Sequence, residues 1–292
     1  MSLPEVGSLG DAATADSAAN VAAIVVSHDS GQCLLDCVAD LLAQDEAVEV
    51  VVVDNGSRDG APQKLASNPR VKTILNAGNP GFGSACNQGA QASTAPFLLF
   101  VNPDCRLPRD AVRRLRETLQ SVSNVGLLGA QLLNADGSEQ AASRRSTPRP
   151  MQAIRALLFA SGNAASPTRV EGGIETVDAI SGALMMTPRA VFDRLQGFDV
   201  GYVLHCEDLD LCRRTLALGY SVALAPTVRI THLKGTSSRR RPVWVEWQKH
   251  RGMLRYFRKF DAAQSPWWLR LAVPLGIAAH FPLAALRAWW RA

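Results

Sequence analysis

The chain has 292 residues, and 47% of them are hydrophobic, which is typical of a globular protein with a substantial core. Its formal net charge is +5, and the basic excess lies in residues 232–292, which hold 12 Lys and Arg against two Asp and Glu. This basic end predicts an anionic partner, either phosphate groups or a membrane surface. Nucleic acid is not expected as a partner, because no DNA- or RNA-binding motif accompanies the charge.

The cysteines and the first residues indicate a cytoplasmic protein. The six cysteines form no C-x-x-C pair and have no ligand-like spacing with histidine, which predicts reduced thiols. Residues 1–20 have neither a basic start nor an apolar run, so we expect a disordered leader there and neither a signal peptide nor a membrane anchor.

From residue 21 onward, short apolar runs alternate with amphipathic stretches, a pattern that predicts an α/β fold with a mostly parallel sheet. The predicted strands are residues 21–26, 48–53, 71–75 and 97–101. We expect a helix over residues 83–92, another that begins near Pro108, and a mobile loop in the polar stretch 134–150. Ligands of open parallel sheets bind at the carboxyl ends of the strands, so the residues that follow each strand are the candidates for chemistry.

Polar and glycine-rich stretches follow the second and third predicted strands. "DNGSRDG" comes after the second strand and "NPGFGSACNQG" after the third. A carboxylate there can accept hydrogen bonds from a nucleobase or ribose, and glycine permits close approach of the backbone to a ligand, although the same residue pairs also form ordinary turns. Neither stretch matches the dinucleotide fingerprint G-x-G-x-x-G, and "SHDSGQ" follows the first strand, so a nicotinamide dehydrogenase is disfavoured.

The fourth predicted strand ends at the motif "NPDC". An acidic side chain at the mouth of a buried strand is poorly placed for packing, but it is well placed to hold a divalent cation that is shared with substrate phosphates. The alternative is that Asp104 caps the helix that begins near Pro108.

Three acids lie close together in "HCEDLDLCRR". At helical spacing Glu207 and Asp210 are neighbours, and Asp210 can pair with Arg213 or Arg214, so an ordinary salt-bridged helix start is one interpretation. The other is a general base, because a carboxylate beside other acids has a raised proton affinity. His232 is followed by a basic loop through Arg241 that could close over a pyrophosphate, although a lone histidine is commonly structural.

Taken together, these motifs resemble the inverting glycosyltransferases of family 2, and within them the rhamnosyltransferase-like branch. The family order is kept from D-N-G-S through N-x-G-F-G, N-P-D, "SGALMMTPRAVF" with "GFD", E-D-x-D-L-C-x-R and G-Y to H-x-x-G-x-S. The resemblance implies a GT-A type, Rossmann-like, mostly parallel central sheet flanked by helices over residues 21–262, with an amphipathic tail over residues 263–292.

The resemblance also implies roles for individual residues. Asp208 matches the catalytic base, with Glu207 as its neighbour, and Asp104 and His232 match the protein ligands of a Mg or Mn ion. The positions expected to contact the nucleotide are Ser27, Asp54, Asn55, Ser57, Asn79, Gly81, Phe82, Gly83, Asn87 and Asn102. The chain departs from the family pattern at His205 and Cys206, where an aromatic residue is common.

The substrates follow from the same resemblance. The branch implies transfer of L-rhamnose from the thymidine diphosphate donor dTDP-rhamnose onto a saccharide or lipid-linked acceptor in cell-surface polysaccharide synthesis. Alternatives are a family 2 enzyme with a UDP- or GDP-sugar donor, and a non-catalytic nucleotide-sugar-binding protein that recruits partners to the membrane. A sugar nucleotidyltransferase would need a glycine-rich basic loop where "SHDSGQ" stands.

The tail predicts a segment at a membrane interface. A 16-residue apolar stretch, 271–286, lies between Arg270 and Arg287 and is flanked by pairs of tryptophans. It is shorter than the ~20 residues of a spanning helix, and Pro274 and Pro282 are expected to interrupt it. We therefore expect peripheral attachment to the cytoplasmic face of the inner membrane, the alternative being a helix packed on the domain or at a dimer contact.

Overall fold

The computed structural model describes residues 19–147, 169–171, 173–233 and 241–290. Nearly all of the predicted leader and most of the basic loop after His232 lie outside these described residues. The described strands are β1 (Val21–Ser27), β2 (Val48–Asp54), β3 (Val71–Leu75), β4 (Phe97–Val101), β5 (Cys105–Arg106), β6 (Val125–Leu133), β7 (Arg169–Glu171), β8 (Ile174–Thr176), β9 (Leu184–Pro188) and β10 (Ser221–His232). The described α-helices are α1 (Gln32–Leu42), α2 (Ala61–Ala66), α3 (Phe82–Gln91), α4 (Ala111–Ser121), α5 (Arg189–Arg194), α6 (Glu207–Ala217), α7 (Pro242–Phe260) and α8 (Trp267–Trp290).

The strands form one mixed sheet in the order β3-β2-β1-β4-β9-β6-β10-β8-β7, with β5 paired to β10. The first four strands along this order are parallel, as predicted. Strand β9 then runs antiparallel between β4 and β6, so the second half of the sheet is mixed, not mostly parallel. Strands β7 and β8 are consecutive short strands that pair antiparallel through a short connection, whereas long stretches of chain separate β9 from β4 and β6.

Two hydrophobic clusters cover the two faces of the sheet. Strand β1 shows why, because its side chains alternate between faces: Val21, Ala23 and Val25 belong to one cluster, and Ala22 and Ile24 belong to the other. The first cluster packs the sheet against α1 and α4, and the second packs it against α3, α5 and α6. Strand β1 is apolar and buried on both faces, and its one polar side chain, Ser27, stands at its carboxyl end.

The tail differs from the prediction in its continuity and in its length. Helix α8 is continuous over 24 residues and runs through both Pro274 and Pro282, so the expected interruption was wrong. Each proline removes one backbone hydrogen bond, but the remaining bonds of a long helix can hold it together with a bend. Helix α8 is the one helix among the described residues that is long and apolar enough to cross a membrane, with a mean hydropathy of 1.6.

Candidate functional site

The carboxyl ends of β1 and β2 place the first group of predicted residues side by side. Ser27 is the register partner of Asp54. Asp54 accepts hydrogen bonds from the backbone N–H and the hydroxyl of Ser57, so the D-N-G-S turn is organised by its own first residue. The buried hydroxyl of Ser27 has no hydrogen-bond partner among the described residues, which leaves a polar group at the strand end that a ligand could satisfy.

Asn55 joins this turn to the loop after β3. Its amide Nδ2 lies 3.3 Å from Oδ1 of Asn79 and 3.3 Å from the carbonyl oxygen of Gly81, and its Oδ1 accepts from Asn76 at 3.1 Å. Asn79 in turn accepts the backbone N–H of Gly81 at 3.0 Å. The asparagines of the two predicted nucleotide motifs therefore fix the mutual position of these loops.

The glycines of "NPGFG" allow close packing against residues 198–203. Gly81 has φ 99°, and a Cβ there would lie 2.8 Å from the carbonyl oxygen of Val203, which also accepts the backbone N–H of Phe82. At Gly83 a Cβ would lie 3.0 Å from that of Phe198. The space that a glycine leaves open at these two positions is therefore occupied by residues 198–203 of the protein itself.

Asn87 lies on the same side of the fold, but its side chain is engaged with protein. Its Nδ2 donates to the carbonyl oxygen of Phe198 at 2.9 Å, and its Oδ1 accepts the backbone N–H of Phe198 at 2.8 Å. The structure thus uses Asn87 to tie α3 to the "GFD" turn. Its predicted place in the nucleotide pocket stays a prediction.

The predicted metal ligands lie together where β5 pairs with β10. His232 is the register partner of Cys105, which places its Nε2 3.2 Å from Oδ1 of Asp104. The alternative role of Asp104 as a cap is excluded, because α4 begins after Asp110. Together with the Cys105 sulfur, these atoms lie within 4.8 Å of one another.

The chemistry of this group fits a divalent cation held by Asp104 and His232. Gln140 donates its Nε2 to the carbonyl oxygen of His232 at 2.7 Å, and its Oε1 lies 3.2 Å from His232 Nδ1. Because a carboxamide oxygen can only accept, Nδ1 carries a proton, so Nε2 is the ring atom that could ligate a cation together with Asp104. Burial raises the pKa of the Cys105 thiol well above its usual value, so it stays protonated and is a poor ligand.

The acids at the start of α6 have different partners. Oδ2 of Asp208 accepts from the Arg145 guanidinium and from the backbone N–H of Gly182 at 3.1 Å. Asp210 is fully buried and pairs with Arg214 at 2.5 Å and Lys259 at 2.6 Å. Asp210 therefore fits the interpretation of a salt-bridged helix start; Asp208 is also ion-paired, with Arg145, and its role as a base stays a prediction.

Glu207 is the third acid, and its environment favours the neutral form. Its Oε2 is buried without a hydrogen-bond partner among the described residues. Burial, and then the negative charge of Asp208, raise the pKa of Glu207 to about 8. Among the described residues, Asp208 has a guanidinium partner, whereas Oε2 of Glu207 has no hydrogen-bond partner.

One short segment connects the base candidate with the metal-ligand candidates. Gly182 donates to Asp208, and the carbonyl oxygen of the next residue, Ala183, accepts the backbone N–H of Asn102 at 2.9 Å. Asn102 begins the N-P-D element that contains Asp104. Gly182 and Ala183 thus link Asp208 to the N-P-D element.

The turn before α6 is strained. His205 and Cys206 have φ angles of 68° and 69°, in the left-handed region that residues other than glycine rarely adopt. Such strain is commonly found at functional sites, and here the turn directs Glu207 and Asp208 towards the interior.

Sequence reasoning missed Arg145 and Gln140, which lie in the stretch predicted to be a mobile loop; its polar composition gave no signal for them.

Comparison with known proteins is consistent with this geometry. The model of the family described as Glycosyl transferase family 2 matches residues 22–167. An N-acetylglucosaminyl-diphospho-decaprenol L-rhamnosyltransferase of Mycobacterium tuberculosis is 28% identical over 238 residues, which are 75% of this chain and 78% of the relative. The rhamnosyltransferase WbbL of Escherichia coli is 24% identical over 217 residues, which are 72% of this chain and 81% of that protein.

The fold is also found among solved structures. The mannosyltransferase PcManGT of Pyrobaculum calidifontis, solved with GDP-Man and Mn2+, matches with a TM-score of 0.58 at 18% identity, over 94% of this chain and 72% of that chain. The expected GT-A fold is confirmed.

Proposed function

Since this chain belongs to glycosyl transferase family 2, we propose that it is a metal-dependent, inverting transferase that moves L-rhamnose from dTDP-rhamnose to a saccharide or lipid-linked acceptor in cell-surface polysaccharide synthesis. That it is a glycosyltransferase follows from the family and its relatives. The rhamnosyl donor is supported by the two relatives named as rhamnosyltransferases. The lipid-linked acceptor is supported by the name of the mycobacterial relative.

One observation supports the mechanism: Gly182 donates to Asp208, and the next residue, Ala183, accepts from Asn102, which begins the N-P-D element that contains Asp104. Oδ2 of Asp208 is occupied by Arg145 and Gly182, whereas Oδ1 accepts only the backbone N–H of Leu209 among the described residues. The remaining lone pair of Oδ1 takes the proton of the acceptor hydroxyl as the hydroxyl oxygen attacks the anomeric carbon. A single displacement of this kind inverts the anomeric configuration without a covalent intermediate.

Asp104 and His232 would hold a Mg or Mn ion, which stabilises the charge that develops on the leaving nucleoside diphosphate. Ser27, Asp54 and the loop they support would contact the nucleoside, since they lie at the carboxyl edge of the same sheet.

We further propose that the protein is cytoplasmic and attaches to the inner membrane through α8. The middle of α8 packs on α7, with Trp247 and Phe281 at 5.3 Å between ring centroids. Helix α7 carries charged side chains on most turns, so it cannot accompany α8 into the hydrocarbon core. This packing favours an interfacial α8 over a spanning one.

The testing experiment incubates purified protein with an N-acetylglucosaminyl prenyl diphosphate acceptor and a panel of dTDP-rhamnose, UDP-sugars and GDP-mannose. Each reaction is run with Mn, with Mg and with EDTA, and products are identified by mass spectrometry and by the anomeric configuration of the new bond in NMR. We expect metal-dependent transfer from dTDP-rhamnose with inversion. Transfer from another donor would refute the rhamnosyl assignment, transfer in EDTA would refute metal dependence, and retention would refute the role of Asp208.

A further inference from the structure

A cavity outside the groups described above lies between the Asp199–Val203 segment and α7, and its volume is about 590 Å³. Its walls include Gly201 and Tyr202 on one side and the α7 positions 251, 255 and 258 on the other. Because these α7 positions are spaced by four and three residues, they form one stripe along the helix. The cavity is therefore lined by a continuous row of arginines.

The lining is strongly basic. Four cations, Arg251, Arg255, Arg258 and Lys259, face one carboxylate, Asp199. Asp199 is already engaged, because it accepts from Arg255 at 2.8 Å and Lys259 at 2.7 Å. Within the described residues no carboxylate lies within salt-bridge distance of Arg251 or Arg258. Both guanidinium groups remain available for an anionic ligand.

The acid of this cavity stays charged at every physiological pH. Burial alone would raise the pKa of Asp199, but hydrogen bonds from Lys259, the backbone N–H of Gly201 and Arg255 outweigh it and lower the pKa to about 2. The ion pairs fix the walls of the cavity in place. Gly201 is part of this arrangement, because a Cβ there would overlap the Arg255 guanidinium.

The cavity is close to the candidate base. Gly252 of α7 packs on the strained turn before α6, and a Cβ there would lie 2.9 Å from the carbonyl oxygen of His205 and 3.2 Å from the Cys206 sulfur. This turn leads directly into Glu207 and Asp208. Lys259 also bridges from Asp199 in the cavity wall to Asp210 in α6. A ligand in the cavity would therefore lie next to the helix that aims Asp208.

The same helix connects the cavity to the apolar tail. The Trp247–Phe281 contact and the His250–His280 pair, with 3.0 Å between Nε2 and Nδ1, join α7 to α8. Helix α8 exposes Leu271, Leu275, Leu283 and Leu286. A molecule with a charged head and a long apolar chain would match the arginine row at one end and the tail at the other.

We propose that this cavity binds the diphosphate group of a prenyl-diphosphate-linked acceptor, with Arg251 and Arg258 as its ligands. The inference rests on the proposed function and deepens it by giving the acceptor a place on the molecule. Binding there would hold the acceptor sugar near Asp208 and leave the prenyl chain at the α8 surface. Guanidinium groups suit this ligand because they form paired hydrogen bonds with phosphate oxygens.

The test uses farnesyl diphosphate as the probe and measures its dissociation constant by titration calorimetry with the full-length protein. We compare wild type with the double variant Arg251→Gln and Arg258→Gln. The matched control is Lys249→Gln, because Lys249 lies on the same helix with a half-exposed side chain but does not line the cavity. Thermal unfolding verifies that all variants fold.

The expected result is that the double variant weakens farnesyl diphosphate binding by about tenfold or more, whereas Lys249→Gln changes it by less than about twofold. The dissociation constant for dTDP should not change in the double variant. Equal binding of farnesyl diphosphate by wild type and the double variant, or no binding by wild type, would overturn the proposal. So would a parallel loss of dTDP binding, which would assign the cavity to the donor.

Two further binding measurements distinguish a prenyl diphosphate from the other phosphate-containing ligands, a lipid headgroup and a nucleotide sugar. If the double variant loses binding to phosphatidylglycerol vesicles but keeps farnesyl diphosphate, the cavity serves a lipid headgroup and the proposal is overturned. If wild type binds no nucleotide sugar, yet farnesyl diphosphate binding depends on the two arginines, the proposed rhamnosyl transfer fails while the assignment of the cavity is supported.

Discussion

Arg145 donates a hydrogen bond from its guanidinium to Oδ2 of Asp208, across 63 residues of chain. The backbone of Arg145 is itself held by two hydrogen bonds with Ala179, at 2.9 and 3.0 Å. The cation is thus anchored to the body of the protein, and it fixes the direction of the Asp208 carboxylate. Oδ1 accepts the backbone N–H of Leu209 at 2.8 Å.

Replacing Asp208 with Asn should strongly reduce transfer and also lower stability, because it removes the charge that pairs with Arg145. The amide keeps the shape of the side chain but cannot accept a proton, and loss of a general base lowers kcat by roughly 10²- to 10⁴-fold. Donor KM should stay close to the wild-type value. Initial rates of sugar transfer measure the effect.

Asp210→Asn is the matched control for this substitution, because Asp210 is also a buried acid of α6. It would break the pairs with Arg214 and Lys259, and loss of a buried pair costs about 3–5 kcal/mol of folding free energy. The expected pattern is a large fall in the melting temperature with transfer retained in the folded fraction. Full activity of Asp208→Asn together with inactive, folded Asp210→Asn would assign the base to Asp210 instead.

Glu207 should make the protein less stable as pH rises. Its pKa is about 8 in the fold and about 4.5 in the unfolded chain, so between these values the folded state holds a proton that the unfolded state has lost. The favourable contribution is complete below pH 4.5 and declines by up to about 1.4 kcal/mol per pH unit as pH approaches 8.

Glu207→Gln should remove this slope, since the amide does not titrate. Urea unfolding of both proteins between pH 5 and pH 8 measures the difference in free energy of unfolding, which should widen with pH in favour of the variant. Glu117→Gln, at a half-exposed position of α4, is the control and should leave the slope unchanged. Parallel curves for wild type and Glu207→Gln would show that Glu207 is ionised in the fold.

Metal affinity should depend on Asp104 and His232 but not on Cys105. The imidazole is oriented by Gln140, whereas the thiol is buried and lies 3.4 Å from the carbonyl oxygen of Ala183. His232→Ala and Asp104→Ala should each weaken Mn binding in the presence of dTDP by at least about tenfold. Cys105→Ala should change it by less than about twofold. Calorimetric titration with Mn measures all three, and a large effect of Cys105→Ala would contradict the assigned ligand set.

Strands β1, β2 and β4 were predictable because they are nearly continuous apolar runs that end abruptly in polar residues, whereas β3 is a short strand with Lys72 and Thr73 inside it. The start of α6 was predicted as a choice between a base and a salt-bridged helix; the pair of Asp210 with Arg214 was predictable from helical spacing, whereas Arg145 and Lys259 lie far away in sequence. Asn87 shows the limit most clearly, since its amide binds the backbone of Phe198, 111 residues further along the chain. Pairings of this length leave no local pattern, and the same is true of Arg145.

Gly81→Ala should destabilise the protein and disturb the loop of residues 79–83, which is expected to contact the donor nucleotide. The added Cβ would lie 2.8 Å from the Val203 carbonyl oxygen at a backbone φ of 99°, so strain and overlap together cost about 2 kcal/mol or more. Gly137→Ala is the control, because Gly137 has φ 83° with no atom within 4 Å of the added Cβ, and should cost about 1 kcal/mol. Gly81→Ala should have a lower melting temperature and weaker dTDP binding than Gly137→Ala. Equal values for the two variants would show that the close contact with Val203 contributes to neither stability nor dTDP binding.

Helix α8 should attach the protein to membranes without crossing them. Leu275 and Leu286 are more than half exposed, and Leu275→Glu with Leu286→Glu places charge where apolar surface would enter the lipid interface. In a sedimentation assay, the partition coefficient of the double variant onto phosphatidylglycerol vesicles should be at least about tenfold lower than that of wild type. Leu216→Glu, at an exposed apolar position on α6, should partition like wild type.

Because the middle of α8 packs on the charged helix α7, alkaline carbonate should release the wild-type protein from membranes. Retention of wild type after carbonate treatment would mean that α8 separates from α7 and spans the bilayer.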